Sequence, residues 1–320
     1  MAINFAVQEN PRGQSVLLMV ILSVAVTCGL QLLFQVLGPF GVFLSPLLAF
    51  PIAYVSMRCG LVPALASLLI VIIFVTKTVG PMYGIAYVLQ FGGASLVLPL
   101  LLRYGVGWFK ALIVTLVLSA TLLIAIAGIY TLKNDTTINA VVVDYVDSEV
   151  DVARQVYEKA ELSTDQKNEL FLVLDSTGVF FKQAYVGLSC VGLGVVMMAT
   201  LVLLSMAARR HYIIQGVMFH ELRLSEWLIW LLIVAGFSLM VDMAMVQRVA
   251  LNMLTVLLPL YFLQGIAIVT FFLRKKAFST ASRVFVYMMI LVINPLPLVV
   301  TAVGVFDMWF DFRKPRVKTT

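Results

Sequence analysis

Two aromatic side chains and one amide recur at helical spacing in an apolar segment of the sequence. Tyr83, Tyr87 and Gln90 fall at positions i, i+4 and i+7, which places them on one face of an α-helix. Tyrosine rings stack on flat organic molecules, and phenol and amide groups form hydrogen bonds with them. The face therefore predicts either a ligand-binding surface or a polar contact with a neighbouring helix, since polar groups also join helices inside a membrane.

A second polar face lies in a later apolar segment. Asn252, Thr255 and Pro259 follow at i, i+3 and i+7, and Pro259 has no N–H to donate to the carbonyl of Thr255. Gln264 lies on a different side of the same predicted helix. These amides predict a common interior site for a small molecule. The candidate ligand-binding residues are Tyr83, Tyr87, Gln90, Asn252 and Gln264.

The sequence lacks the motifs that hydrolysis or metal chemistry would need. It has no GxSxG, HExxH or Walker pattern. His211 and His220 are nine residues apart and do not share the i, i+4 face of a helical metal site. Cys28, Cys59 and Cys190 have no CxxC spacing. We therefore predict no catalytic residues, no metal and no cofactor, and a protein that is not an enzyme.

The composition is that of a membrane protein. Hydrophobic residues make up 62% of the chain, charged residues only 12%, and the mean hydropathy is +1.04. The net charge of +6 is spread singly or in short clusters between apolar runs, so we expect the lipid bilayer, and not nucleic acid, as the partner.

The apolar runs predict an all-α, polytopic bundle of eight or nine transmembrane helices. The last run contains Asn294-Pro295-Leu296-Pro297, which predicts either a kinked span or a re-entrant path. The predicted spans are 15–37, 39–57, 60–76, 80–101, 107–131, 183–208, 226–244, 249–273 and 284–306.

The distribution of Lys and Arg predicts a cytoplasmic N-terminus. With that orientation the cytoplasmic loops hold eleven basic residues, and the short outer turns hold only Lys77 and Arg248. The stretch 133–182, which carries ten of the sixteen acidic residues, then lies outside. The predicted organisation is 1–131 (spans one to five), 132–182 (an acidic extracytoplasmic hairpin), 183–306 (spans six to nine, with a basic interfacial segment at 209–226) and 307–320 (a tail).

The acidic stretch has the pattern of two amphipathic helices. Its apolar residues recur every three or four positions, at Val143, Val146, Val150, Ala153 and Tyr157. A second helix is expected to start at Ser163, whose hydroxyl would cap the helix while Gln166 reaches back. The stretch therefore predicts a helical hairpin that serves either as a packed lid or as a docking surface.

The C-terminal third resembles a known family. Residues 250–253 (ALNM), 260–269 (LYFLQGIAIV) and 304–313 (GVFDMWFDFR) resemble the YybS-like bacterial membrane proteins, a family of unknown function. The resemblance implies a multi-pass protein of the bacterial cytoplasmic (inner) membrane. It also implies a distant similarity to the S components of energy-coupling-factor transporters and to the cell-shape protein MreD.

Two stretches follow the recurring pattern of that family. They are Gln264-Gly265 and Asp307–Arg313, and the resemblance assigns neither of them a catalytic role. The aromatic residues of the second stretch are expected to anchor at the membrane interface, and Arg313 is expected to pair with Asp307 or Asp311.

The sequence supports two function hypotheses. The first is a membrane-embedded subunit for small-molecule binding or uptake, similar to an S component, which would depend on coupling and ATPase partner proteins for energy. The second is a non-transporting scaffold or assembly protein that acts through the hairpin or the basic cytoplasmic face. The hairpin would cover the ligand in the first hypothesis and hold a protein partner in the second.

Overall fold

The computed structural model describes residues 13–160, 163–207 and 212–314, which fold into helices and connecting turns. Arg209, Arg210, His211, Arg316 and Lys318 lie outside the described residues. The helices are α1 Gly13–Val36, α2 Ser45–Leu48, α3 Phe50–Cys59, α4 Leu61–Thr78, α5 Pro81–Tyr87, α6 Leu98–Arg103, α7 Trp108–Asn134, α8 Ile138–Glu158, α9 Thr164–Ala207, α10 Trp227–Ser238, α11 Ala244–Lys275, α12 Thr280–Val292 and α13 Leu296–Phe310. A 3-10 helix, Gly38–Leu44, precedes α2, and a π-helical segment, Val88–Val97, joins α5 to α6.

Several of these helices are long and apolar enough to cross a membrane, which confirms the prediction of a multi-pass helical membrane protein. Within the described residues there are seven such segments, and α12 with α13 adds an eighth if the bent pair counts as one span. The seven are Gln14–Val36, Phe40–Cys59, Leu61–Thr78, Pro81–Arg103, Trp108–Asn134, Thr164–Ala207 and Ala244–Lys275. Helices α12 and α13 meet at 103°, so the predicted break at the two prolines is present, as a broken span or a re-entrant loop.

The predicted span 226–244 contains a much shorter helix than expected. Helix α10 has 12 residues, about 18 Å at 1.5 Å per residue, against a hydrocarbon core of about 30 Å. The chain turns at residues 239–243, although Leu239, Met240 and Val241 are apolar. The span predicted from hydropathy therefore continued past Ser238, where the helix ends.

By its internal contacts the chain divides into two compact units. Unit 1 comprises Met1–Asp135 and Gly192–Gly216, and unit 2 comprises Thr136–Val191 and Val217–Thr320. Unit 1 is built around α3, which packs against α1, α4, α6 and the π-helical segment. Its most buried side chains include Ile52, Met57 and Leu98.

Unit 2 contains the predicted helical hairpin, formed by α8 and the first half of α9. Arg154 pairs with Asp175 at 2.5 Å, and Asp147 pairs with Lys182. The numbers descend along α8 as they ascend along α9, so the two helices run antiparallel. A Cβ at Gly178 would lie 3.0 Å from the Val150 side chain, so the predicted apolar stripe of α8 packs against α9.

The start of α9 has the predicted capping box. The Gln166 N–H donates to the Ser163 hydroxyl at 3.3 Å, and the Gln166 side-chain oxygen accepts from the Ser163 N–H at 3.0 Å. Helix α9 then continues for 44 residues, about 66 Å. Residues 183–207 carry no charge, whereas the first half is charged, and this pattern favours a hairpin outside the hydrocarbon core. The side of the membrane on which the hairpin lies stays a prediction.

Helices α11 and α13 of unit 2 are joined by a glycine contact. A Cβ at Gly265 would overlap the carbonyl oxygen of Val300, and one at Gly304 would overlap the carbonyl oxygen of Tyr261. Small residues allow backbones to approach this closely within a membrane. This contact positions the polar groups at the ends of both helices.

Candidate functional site

The end of α13 holds a buried ion pair. The Arg313 guanidinium donates to the Asp307 carboxylate at 2.6 Å, and each side chain is 4% exposed. Asp311 ends the helix with φ of 39°, in the left-handed region. The chain therefore turns back and brings Arg313 beside the last turn of α13, where the Phe312 N–H also donates to Asp307 at 3.1 Å. The predicted local pairing of Arg313 is confirmed, with Asp307 as its partner.

Gln264 of α11 extends this pair into a network. Its amide nitrogen donates to the Gly304 carbonyl at 3.1 Å and to the Asp307 carboxylate at 3.3 Å. Its oxygen accepts from the Leu224 N–H at 3.0 Å. Every polar atom of the buried amide therefore has a partner within the protein. Gln264 acts here as a connector between α11, α13 and the segment before α10.

The same network holds the segment 219–224 in place. Arg313 donates to the carbonyl oxygens of His220 and Leu222, at 3.2 Å and 2.9 Å. Outside the buried pair, Arg223 donates to Asp311 at 2.8 Å. Partial burial would raise the pKa of Asp311, but hydrogen bonds from Arg223 and Lys314 outweigh it, so the pKa lies below its usual value. The segment is thus fixed by charged groups at both of its ends.

Phe219, the first residue of this segment, lines a cavity of about 340 Å³ together with residues of α11 and α12. Two of the lining residues, Thr270 and Tyr287, form a hydrogen bond of 2.9 Å between their hydroxyl groups. The lining residues are Phe219, Ile266, Thr270, Arg274, Thr280, Arg283, Val284 and Tyr287.

The cavity, which we call the basic cavity, has a positive lining. No acidic side chain is among its lining residues, and Arg274 and Arg283 both contribute guanidinium groups. Arg283 donates to the Thr280 hydroxyl at 3.1 Å, while its buried Nε has no hydrogen-bond partner. Arg274 lies 3.3 Å from Nδ1 of His220, whose position is set by the Arg313 network. Guanidinium and hydroxyl donors in such an arrangement are suited to carboxylate or phosphate groups.

A family model described as "Predicted membrane protein (DUF2232)" matches residues 25–308. The chain belongs to this family. No curated protein and no solved structure matches the chain. The matched range contains Gln264, Gly304 and Asp307 of the network. The finer resemblance to YybS-like proteins, S components and MreD stays a prediction.

The predicted aromatic–amide face lies in unit 1 of this DUF2232 protein. Tyr83 is 58% exposed and Gln90 is exposed, whereas Tyr87 is buried and donates to the Leu48 carbonyl at 3.3 Å. Gln90 lies in the π-helical segment, which begins at Val88 and changes the helical phase. The structure therefore does not gather these three side chains around one cavity. Tyr87 serves as a contact between helices.

Asn252 in unit 2 joins α11 to α9. Its amide nitrogen donates to the Gln183 carbonyl and its oxygen accepts from the Gly187 N–H, both at 2.7 Å. It borders an apolar groove of about 530 Å³ between α9, α10 and α11. Asn252 and Gln264 are twelve residues apart on α11, about 18 Å. The two amides therefore belong to different places in the DUF2232 fold.

The residues of the basic cavity were absent from the predicted site. Arg274 and Arg283 appeared in the sequence only as cytoplasmic charges that set the membrane orientation. Thr270 and Arg274 lie at i and i+4, and Thr280, Arg283 and Tyr287 lie at i, i+3 and i+7. Each set places hydroxyl and guanidinium groups on one face of a helix, and a short turn joins the two helices. This pattern could have indicated the cavity from the sequence. Among the residues that the structure describes, no group of three or more His, Cys, Asp or Glu side chains could hold a metal ion.

Proposed function

We propose that this protein is a membrane-embedded subunit that binds a small molecule with an anionic group in the basic cavity. The observation that carries the proposal is the lining itself: two guanidinium groups, three hydroxyl groups and no carboxylate around about 340 Å³. A phosphate or carboxylate would accept hydrogen bonds from Arg274, Arg283 and Tyr287. The role is one of binding, and an energised step would depend on partner proteins, as in the predicted similarity to S components.

The position of the cavity refines this hypothesis. Asn252, beside the hairpin, and Thr270, in the basic cavity, are eighteen residues apart on α11, about 27 Å. The hairpin is therefore too far away to cover the cavity. By the predicted orientation the basic cavity opens near the cytoplasmic face, where a ligand would come from the cytoplasm or from the inner leaflet.

The test is ligand binding by matched charge variants. The wild-type protein, R274Q and R283Q would be purified in detergent and screened by thermal shift against phosphorylated and carboxylated metabolites. The exposed Lys276 lies just beyond α11, so K276Q is the control for a loss of positive charge alone. We expect a ligand to stabilise the wild type and K276Q. The apparent affinity of R274Q and R283Q for the same ligand should be lower by about tenfold or more.

Two results would contradict the proposal. One is a full panel without any ligand that stabilises the wild-type protein. The other is a ligand that binds R274Q, R283Q and the wild type equally well, which would place the site elsewhere.

A scaffold role is the second candidate, and one observation favours it. Helix α8 carries a second apolar stripe, which does not face α9 and whose members are 38–65% exposed, namely Val141, Tyr145, Val152 and Val156. A photo-reactive residue at position 152 should capture one specific protein in cells, whereas the same residue at position 150, facing α9, should not. Equal capture from both positions would contradict a docking role for this stripe.

A further inference from the structure

Unit 1 is almost free of acidic side chains. Among its described residues Asp135 has the only carboxylate side chain, at the C-terminal end of α7. Helix α7 has 27 residues, so Asp135 lies about 40 Å along the helix from Trp108. Trp108, at the other end of α7, is therefore remote from that carboxylate.

Arg58 is a buried cation of unit 1. It lies in the last turn of α3 and is 7% exposed. Its Nε and Nη1 atoms are buried without any hydrogen-bond partner. Buried arginines are normally paired with a carboxylate or hydrogen-bonded to several acceptors, because a desolvated charge is costly. Arg58 thus has an unmet requirement for negative charge.

A second guanidinium lies next to Arg58. Arg103 donates to the carbonyl oxygen of Met57 at 3.4 Å, and a Cβ at Gly60 would lie 3.4 Å from the same guanidinium nitrogen. Arg103 therefore lies against the residues on both sides of Arg58 in the chain. Two cations concentrate positive charge at the end of α3.

Tyr212 also belongs to unit 1. It is buried, and its hydroxyl donates to the Leu204 carbonyl at 2.8 Å. Burial raises the pKa of the Tyr212 phenol, Tyr54 adds to the rise, and the positive charge of Arg58 opposes it. The charge of Arg58 therefore acts on Tyr212, whose hydroxyl hydrogen is already donated to Leu204 and is not available to an anion.

The carbonyl groups at the end of a helix compensate such charge only in part. The C-terminal dipole attracts cations, but it amounts to about half an elementary charge and falls off within the last turn. Here the carbonyl end of α3 already accepts from Arg103. A full negative charge with several acceptor oxygens would satisfy the free donors of Arg58, and phosphate offers both.

We infer that Arg58 and Arg103 bind a phosphate group, carried either by an anionic phospholipid or by a soluble phosphate. The position of Arg58 at the end of the span Phe40–Cys59 places the site at the level of lipid headgroups. The site is independent of the basic cavity, since the two are built from residues of different units.

The experiment compares the thermal stability of the full-length protein with that of R58M, R58K and K77M. Lys77 is an exposed cation at the end of α4 in the same unit, so K77M controls for charge. Each protein would be placed in phosphatidylcholine nanodiscs, with or without phosphatidylglycerol, and with or without inorganic phosphate. Phosphorus analysis of the purified proteins would measure retained phospholipid.

We expect phosphate-bearing probes to stabilise the wild type and K77M. The probe concentration that gives half of the stabilisation should be at least about tenfold lower for these two proteins than for R58M. R58K should be intermediate, because a lysine keeps the charge and loses the planar fork of donors. Stabilisation by phosphatidylglycerol alone identifies the lipid as the source, and stabilisation by phosphate alone identifies the soluble anion. Equal responses of R58M and the wild type, or no response of either, would overturn the inference, whatever the outcome for R274Q and R283Q.

Discussion

Breaking the buried pair of Asp307 and Arg313 should destabilise the protein far more than breaking an exposed pair. In R313M the Asp307 carboxylate, 4% exposed, stays buried without the cation beside it. Removing one partner of a buried ion pair costs about 3–5 kcal/mol. The carbonyl groups of His220 and Leu222 lose their donor in the same variant. We therefore expect a loss near the upper part of that range.

The double variant D307N/R313M separates the charge from the remaining contacts. An asparagine at 307 has no charge to bury and can still accept from the Phe312 N–H. The remaining cost is that of the unsatisfied carbonyl groups, about 1–3 kcal/mol, and of the Gln264 N–H, which loses its acceptor at 307 but still donates to the Gly304 carbonyl. The double variant should therefore be more stable than R313M alone.

The assay is equilibrium unfolding in mixed micelles with increasing SDS, followed by circular dichroism. The control is R154M, which removes an arginine from the exposed pair with Asp175, where side-chain exposures are 39% and 54%. Such exposed pairs contribute no more than about 1 kcal/mol. A cost for R313M equal to that for R154M, or a double variant less stable than R313M, would refute the reasoning.

Two further predictions concern packing and capping. G304A should lower the free energy of unfolding by about 1–3 kcal/mol, because its Cβ would overlap the Tyr261 carbonyl oxygen. Gly236 has open space around it, so G236A should leave the free energy of unfolding unchanged in the same assay. S163A should lower the free energy of unfolding by about 1 kcal/mol, because α9 loses its N-terminal cap. The loss should appear as faster amide hydrogen exchange in the first turn of α9. The exposed Ser189, in the middle of α9, gives the matched control S189A, and equal exchange in both would contradict the capping role.

The sequence was sufficient for those features that depend on local pattern. Long apolar runs predicted the membrane helices, and the spacing of Ser163 and Gln166 predicted the start of α9. Two prolines predicted the break between α12 and α13. Each of these features is determined by residues close together in the chain, where helical periodicity and capping chemistry apply directly.

The candidate site could not be predicted in the same way. Gln90 left the expected face because the π-helical segment Val88–Val97 changes the phase of the helix, and periodicity assumes a regular one. Asn252 and Gln264 became connectors because neighbouring backbone groups needed partners, which only the tertiary structure reveals. Arg274 and Arg283 form a cavity through the turn between α11 and α12, so their meeting depends on packing.

The glycine contact between α11 and α13 has a consequence for how the basic cavity adjusts to a guest. The backbones of α11 and α13 are in direct contact at Gly265 and Gly304. Side-chain rotation therefore cannot change the distance between the two helices at this contact. Helix α12 has mostly exposed side chains and meets α11 through the hydroxyl pair of Thr270 and Tyr287. The glycine contact thus fixes α11, which carries one side of the cavity, whereas α12, which carries another side, has few buried side chains. For the proposed binding function, discrimination between ligands of different size would therefore depend on α12.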